Sequence, residues 1–185
     1  MNRPDLPDAE AVLRFWFEET TPKQWFAVDA AFDALIAERF GALLQAASQG
    51  ELAHWRDSIR GRLAEIIVLD QFSRNVYRGT AQAFAQDAQA LVLAQEAVAA
   101  ACDRDLPPSQ RAFLYMPYMH SESARIQEQS VQLFDQPGLE DNHRFALRHQ
   151  EIVERFGRYP HRNAQLGRVS TPEELAFLQQ PGSSF

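Results

Sequence analysis

The chain has 185 residues, of which 45% are hydrophobic and 11% aromatic, enough for one well-packed domain and somewhat short for two. Its 18 basic residues are outnumbered by 25 acidic ones, and the resulting net charge of −7 argues against a general nucleic-acid binder. Cys102 is the single cysteine, so no intrachain disulfide can form and a reducing cytoplasmic location is expected. The opening residues lack signal-peptide features, and no apolar run reaches the roughly 20 residues of a membrane span.

Apolar residues recur at three- and four-residue spacing from Asp8 to Phe156, which predicts helices and no sheet. Asp8, Asp29 and Ser58 are predicted to cap the first three helices at their N-termini. The third of these, residues 58–75, is apolar almost all round and should therefore be buried. Between the first two helices we expect a turn.

The later helices are expected at 81–102, from 109 with a kink or end at Pro117, at 121–134, and at 143–156 with its end at Gly157 and Pro160. A capping box that begins at Thr171 opens a short last helix. The fold class is therefore all-α, with about seven to nine helices in antiparallel hairpins, forming a single domain over 1–185 as a bundle or a compact solenoid.

One internal similarity favours the solenoid. The stretch FSRNVYRG at 72–79 and the stretch FGRYPHRN at 156–163 share the pattern F-x-R-x-x-[YH]-R, each at the end of an apolar helix. Two copies are a weak sign of a repeat. They indicate more directly that two helix ends use the same arginine arrangement.

Three stretches place polar groups where periodicity predicts core. In LDQFSRN, Asp70 and Arg74 continue a buried stripe and are four residues apart, so they can pair. In YMPYMHSES, His120 and Glu122 follow Pro117. The third stretch, residues 155–171, has four arginines, one histidine and no acid in an otherwise acidic protein.

Burial of these charges is unfavourable unless they pair, so they should meet one another or stay in contact with water. We expect Asp70 to contact an arginine, either Arg74 or one from 158–162. One interpretation is a closed network of salt bridges that locks helix ends together. Another is a ligand pocket in which arginine and histidine exceed the acids, with Asp70 and Glu122 as the internal counter-charges. A third interpretation is that these charged residues lie on a solvated surface.

The sequence argues against most kinds of catalytic site. The histidines lack the spacing of a transition-metal site, so no metal is predicted, and no cofactor motif is present. Cys102 has no neighbouring base, and there is no nucleophile elbow or phosphate loop. His149 shares a face with apolar residues and is interpreted as a packed core residue. His120 with Glu122 remains a candidate acid–base pair.

At these motifs the sequence resembles the bacterial proteins of domain of unknown function family 924. The resemblance rests on LDQFSRNVYRGTAQAFAQD, YMPYMHSE and RFGRYPHRNAQLGRVSTPEE, supported by FWFEE and QWF, and spans nearly the whole chain. Tyr159 replaces a more frequent Phe, and Ser123 replaces an acid. The resemblance implies an all-helical fold of the tetratricopeptide-like superfamily and brings no known activity; the 34-residue tetratricopeptide consensus itself is not visible.

Two functional hypotheses follow. The first is a binding module whose pocket takes an anionic small molecule or a peptide carboxylate, without nucleic-acid or membrane partners. The second is a small enzyme with His120 or His161 as acid–base, Glu122 as a further candidate, and arginines as an anion clamp. Both place the site at Asp70, Gln71, Arg74, Asn75, His120, Glu122, Arg158, His161, Arg162 and Asn163.

Overall fold

The computed structural model describes residues 6–185, and within that range all the regular structure is helical, in nine helices. They are α1 (Ala9–Arg14, continued by the π-helical Phe15–Glu19), α2 (Pro22–Trp25), α3 (Ala30–Ser48), α4 (Ile59–Ile66, continued by the π-helical Ile67–Phe72 and by Ser73–Val76), α5 (Asp87–Ala99), α6 (Pro108–Met119), α7 (Ala124–Phe134), α8 (Glu140–Phe156) and α9 (Pro172–Leu178). The predicted all-α fold is confirmed. The tetratricopeptide-like arrangement stays a prediction.

The predicted helix starts are formed by the expected side chains. Asp8 accepts a hydrogen bond from the backbone at the start of α1, Asp29 does so for α3, and Ser58 does so for α4. At α9, Thr171 and Glu174 form the predicted reciprocal capping box. These local bonds set where each helix begins.

Some helix boundaries differ from the predictions. The expected helix over 81–102 is broken, because Ala81–Phe84 is a 3₁₀ turn and Gln86 leaves the helical conformation before α5 begins. Pro117 does not end α6, which continues for two residues beyond it to Met119. Residues 22–25 form the short helix α2 where only a turn was expected.

Helix α4 is the centre of the molecule, and α1, α3, α5 and α6 all contact it. Its residues from Leu63 to Phe72 are buried, as the sequence predicts. The core beside it is aromatic, with the rings of Phe15, Trp16 and Phe40 packed around Phe72. Burial of such rings supplies much of the hydrophobic free energy of folding.

A second, smaller apolar cluster joins α8 to the segment that follows it. Ile152 and Val153 of α8 pack with Tyr159 and with Phe177 of α9. The polar residues of interest lie where the end of α4, the end of α6 and the α8–α9 connection come together. None of the helices in residues 6–185 is long and apolar enough to cross a membrane.

Candidate functional site

Asp70 is the buried centre of the site. It lies in the π-helical turn Ile67–Phe72 and has no exposed surface, and its carboxylate contacts three neighbouring side chains, two through hydrogen bonds and one through an ion pair. His120 Nδ1 is 2.7 Å from Oδ1, Gln71 Nε2 is 2.6 Å from Oδ2, and Arg74 Nη1 is 3.2 Å from Oδ1. The expected Asp70–arginine contact is therefore present. Turns of π-helix of this kind occur often at functional sites.

The Asp70–His120 pair is a carboxylate-oriented imidazole. Burial opposes ionisation of Asp70, but the charge of Arg74 and the hydrogen bonds from His120 and Gln71 outweigh it and lower its pKa. Burial and the Arg74 charge lower the pKa of His120, so its ring is neutral at neutral pH. Nδ1–H of the neutral ring donates to Asp70, which leaves Nε2 as the basic nitrogen.

Asp87 is the acid that sequence reasoning missed. Arg74 pairs with it through two bonds of 2.9 and 3.0 Å, and Arg162 reaches it across 75 residues at 3.3 Å. The two copies of the F-x-R-x-x-[YH]-R pattern thus send one arginine each to the same carboxylate. The sequence signal for this acid was its position: Asp87 is the last residue of the FAQD stretch, and it begins α5 shortly after the first arginine motif.

Arg162 is held differently from its neighbours. Its side chain is only 6% exposed, and its guanidinium lies 4.6 Å from the ring centres of both Phe84 and Tyr159. Within residues 6–185 the single hydrogen bond of its side chain is the long one to Asp87, and its Nε has no partner. Burial and the nearby charge of Arg74 lower the pKa of Arg162. This buried cation therefore has donor capacity that the protein does not use.

Aromatic and histidine rings cover this side of the cluster. The Tyr159 ring packs edge-on or tilted against the rings of His149, His161 and Phe185, with ring centres 5.4 to 5.7 Å apart. His149 is buried and Nδ1 donates to the Phe145 carbonyl, as expected for a core histidine. Burial is the main cause that lowers the pKa of His149 to about 3 and that of His161 to about 4.

Arg158 and Arg168 form two closed ion pairs with Glu174 and Glu122, and we call these four residues, together with Asn163, the lock. Arg158 binds Glu174 through two bonds, which lower the pKa of Glu174 to about 2, and Arg168 binds Glu122 in the same way. Asn163 joins these pairs, because it contacts Glu174 and accepts a bond from Arg168. The lock ties the end of α8 to the start of α9.

The expected excess of positive charge is therefore wrong. Four arginines meet four acids, because Asp87 and Glu174 add to the two acids that the sequence suggested; the pairs involve Arg74, Arg158, Arg162 and Arg168 with Asp70, Asp87, Glu122 and Glu174. Glu122 contacts the backbone nitrogen of Tyr159 at 2.7 Å and is turned into the lock, away from an acid–base pair with His120. What distinguishes the centre is unused hydrogen-bonding capacity rather than net charge.

The ten residues predicted for the site divide into three groups. Asp70, Gln71, Arg74, His120, His161 and Arg162 lie in or beside the central cluster, while Glu122, Arg158 and Asn163 belong to the lock. Asn75 is elsewhere, bound with Arg78 to Asp33 of α3. Sequence reasoning missed Phe84, Asp87, Arg168, Glu174 and Phe185 as members of this region.

No group of three or more histidine, cysteine, aspartate or glutamate side chains in residues 6–185 is arranged to hold a metal ion. An open depression of about 390 Å³ lies on α8, lined by Arg144, Phe145, Leu147, Arg148 and Glu151. None of the predicted site residues lines this depression.

Fold and site together define an all-helical protein built around a buried Asp–His–Arg cluster. The chain belongs to the family described as bacterial protein of unknown function (DUF924), whose model matches residues 12–182. It is similar to a protein of unknown function, ATU0120 from Agrobacterium tumefaciens, whose solved structure is 38% identical in sequence with a TM-score of 0.88. The match covers 92% of this chain and 96% of that one. No curated protein matches the sequence.

The first prediction concerns Asp70. Asp70→Ala removes the acceptor shared by His120 and Arg74 in a fully buried position, and should destabilise the protein by about 3–5 kcal/mol. Urea unfolding monitored by circular dichroism measures this. Asp141→Ala, which breaks an exposed pair with Arg144, is the control and should change stability by less than about 1 kcal/mol. Equal unfolding curves for the two variants would show that Asp70 does not hold the core.

The second prediction concerns acid stability. Unfolded histidines titrate near pH 6.5, whereas His149 is kept neutral in the fold down to pH values near its lowered pKa of about 3. Between these values the unfolded state binds the extra proton, so the free energy of unfolding falls as pH falls. His149→Asn, which keeps a donor for the Phe145 carbonyl, should reduce this slope by about 1.4 kcal/mol per pH unit between about pH 5.5 and 4. The exposed His54→Asn is the control, and an unchanged slope in His149→Asn would contradict the assignment.

Proposed function

We propose that this protein is a binding module for an anionic group, the phosphate or carboxylate of a small molecule or peptide, and that Arg162 is its receptor. The observation that carries the proposal is the unfilled hydrogen-bonding capacity of Arg162. Arg74, Arg158 and Arg168 each bind a carboxylate through two nitrogens, whereas within residues 6–185 the Arg162 guanidinium has one 3.3 Å bond and an Nε without a partner.

A guanidinium in this state favours an incoming oxyanion. Its planar fork matches two oxygens of a phosphate or carboxylate, and such bonds are about twice as strong as neutral ones. The guanidinium packs 4.6 Å from the ring centres of Phe84 and Tyr159, so little conformational freedom is lost on binding. The low dielectric around a buried group strengthens the interaction further.

Charge balance adds a pH dependence to the proposal. With the histidines neutral, the four arginines of the site are already matched by four acids, so an added anion brings a net negative charge. A proton taken up by His120 or His161 compensates for it. Anion binding should therefore tighten as the pH falls toward the lowered pKa values of these histidines.

The composition supports the rest of the proposal. The net charge of −7 favours a local anion site over a broad nucleic-acid surface, and the single cysteine fits a cytoplasmic location. An anionic small molecule or a peptide carboxylate is the partner that the chemistry of Arg162 recognises.

The third prediction tests Arg162 with inorganic phosphate. At constant ionic strength, the melting temperature of the wild-type protein should rise with phosphate as expected for RT ln(1 + [L]/Kd). Arg162→Gln should lose most of this gain, whereas Arg158→Gln should keep it because Arg158 belongs to the lock. Titration calorimetry well below the melting temperature repeats the comparison if Arg162→Gln is less stable. An equal response of the wild-type protein and Arg162→Gln would refute the binding proposal.

A second candidate function rests on the Asp70–His120 pair. A buried carboxylate 2.7 Å from Nδ1 fixes the imidazole and leaves Nε2 to accept a proton, as a general base requires. With Arg162 nearby through the shared Arg74–Asp87 pairs, the same cluster has a base and an anion clamp. The protein would then be a small enzyme acting on an anionic substrate.

The fourth prediction separates catalysis from binding. If the site is catalytic, the wild-type protein should hydrolyse p-nitrophenyl phosphate or p-nitrophenyl acetate with a rate that rises as one basic group loses its proton. His120→Gln should abolish that pH-dependent rate while phosphate still raises the melting temperature. His54→Gln is the matched control. Rates that are the same in the wild-type protein and in His120→Gln would leave binding as the function.

A further inference from the structure

The segment that follows α9, residues 179–185, folds back over the rings of the site. The Phe185 ring centre is 3.7 Å from that of His149, 4.7 Å from His161 and 5.4 Å from Tyr159. The protein therefore places an aromatic side chain in a slot whose walls are three other rings. The slot suits a flat ring, since such pairs gain from edge and offset contacts beyond the area they bury.

Three side-chain hydrogen bonds to backbone carbonyls hold this segment, and such bonds can be replaced by bonds to water. Arg148 donates to the carbonyls of Gly182 and Pro181 at 3.2 and 3.0 Å, and Ser183 bonds the Leu178 carbonyl at 3.2 Å. Phe185 itself is 50% exposed. Because half of the residue is exposed, replacing Phe185 by another ring forfeits less burial energy than replacing a fully buried Phe would.

The slot also contains an unused polar atom. His161 Nδ1 is shielded from solvent and has no hydrogen-bond partner among residues 6–185, and the Phe185 ring beside it offers none. Leaving such a buried polar group unpaired is unfavourable. An occupant with a polar atom on or next to its ring would satisfy His161 where Phe185 does not.

The slot adjoins the proposed anion receptor. Tyr159 contacts both the receptor and the occupant of the slot: its ring centre is 4.6 Å from the Arg162 guanidinium and 5.4 Å from the Phe185 ring centre. His161 precedes Arg162 in the chain, so the unpaired nitrogen of the slot and the unpaired Nε of the receptor belong to consecutive residues.

We infer that the Phe185 slot is the aromatic subsite of this anion site. Its ligand is a molecule in which a planar ring is joined directly to a phosphate or carboxylate, and Phe185 occupies the ring position until that ligand displaces it. This inference rests on the proposed binding function at Arg162. It adds the class of ligand, an aryl phosphate or aryl carboxylate, and names Phe185 as a competing internal occupant.

Competition by Phe185 gives the test. Phenyl phosphate, ethyl phosphate and inorganic phosphate are titrated by calorimetry into the wild-type protein, Phe185→Ala and the control Phe26→Ala, whose ring is exposed elsewhere. Phe185→Ala should tighten phenyl phosphate binding by about tenfold. Without the Phe185 ring the slot is already empty, so all of the protein is in the state that can bind the ligand. Inorganic and ethyl phosphate should bind all three proteins equally. Benzoate should follow phenyl phosphate, and acetate should follow inorganic phosphate.

The outcomes separate the two proposals. If inorganic phosphate binds through Arg162 but phenyl phosphate gains nothing in Phe185→Ala, the aromatic subsite is refuted and the anion site stands. If no phosphate binds in an Arg162-dependent way, both are refuted. A gain of equal size in Phe26→Ala would also overturn the subsite, because it would mark a general effect of removing a surface ring. Superimposable circular dichroism spectra establish that the variants are folded.

Discussion

The ionised carboxylate of Asp70, buried without exposed surface, is the constraint on which the rest of the site depends. A buried charge is strongly unfavourable unless partners compensate it, and here Arg74, His120 and Gln71 do so. Those contacts bring the end of α4 against the end of α6. Arg74 also pairs with Asp87 at the start of α5, the one carboxylate among residues 6–185 that Arg162 contacts.

Two kinds of ion pairing coexist around this centre, and they differ in function. In the lock, Arg158 with Glu174 and Arg168 with Glu122 satisfy one another through paired bonds and hold the α8–α9 connection in place. That rigidity positions Arg162 between two rings with donors left over. The closed ion pairs therefore support the proposed receptor instead of excluding it.

Much of this could be predicted from the sequence, for identifiable physical reasons. Periodicity and caps located the helices, because those signals are local, and a polar residue on an apolar stripe marked Asp70 as a buried partner. The partners of the arginines could not be predicted in the same way. Asp87 and Glu174 look like ordinary residues of a helix's first turn, and only the tertiary packing brings them to Arg162 and Arg158. The π-helical turn and the position of Phe185 likewise have no signal in residue spacing.

The most direct test of the central claim is a titration of arginine Nε–H signals by nitrogen-15 nuclear magnetic resonance. The account predicts that phosphate shifts the Arg162 signal in a saturable way, since its Nε is unpartnered in residues 6–185. The signals of Arg158 and Arg168, whose Nε groups bond Glu174 and Asn163, should stay in place. Uniform drift of all three signals with phosphate, without saturation at Arg162, would contradict the account, because it would mark general screening instead of a bound anion.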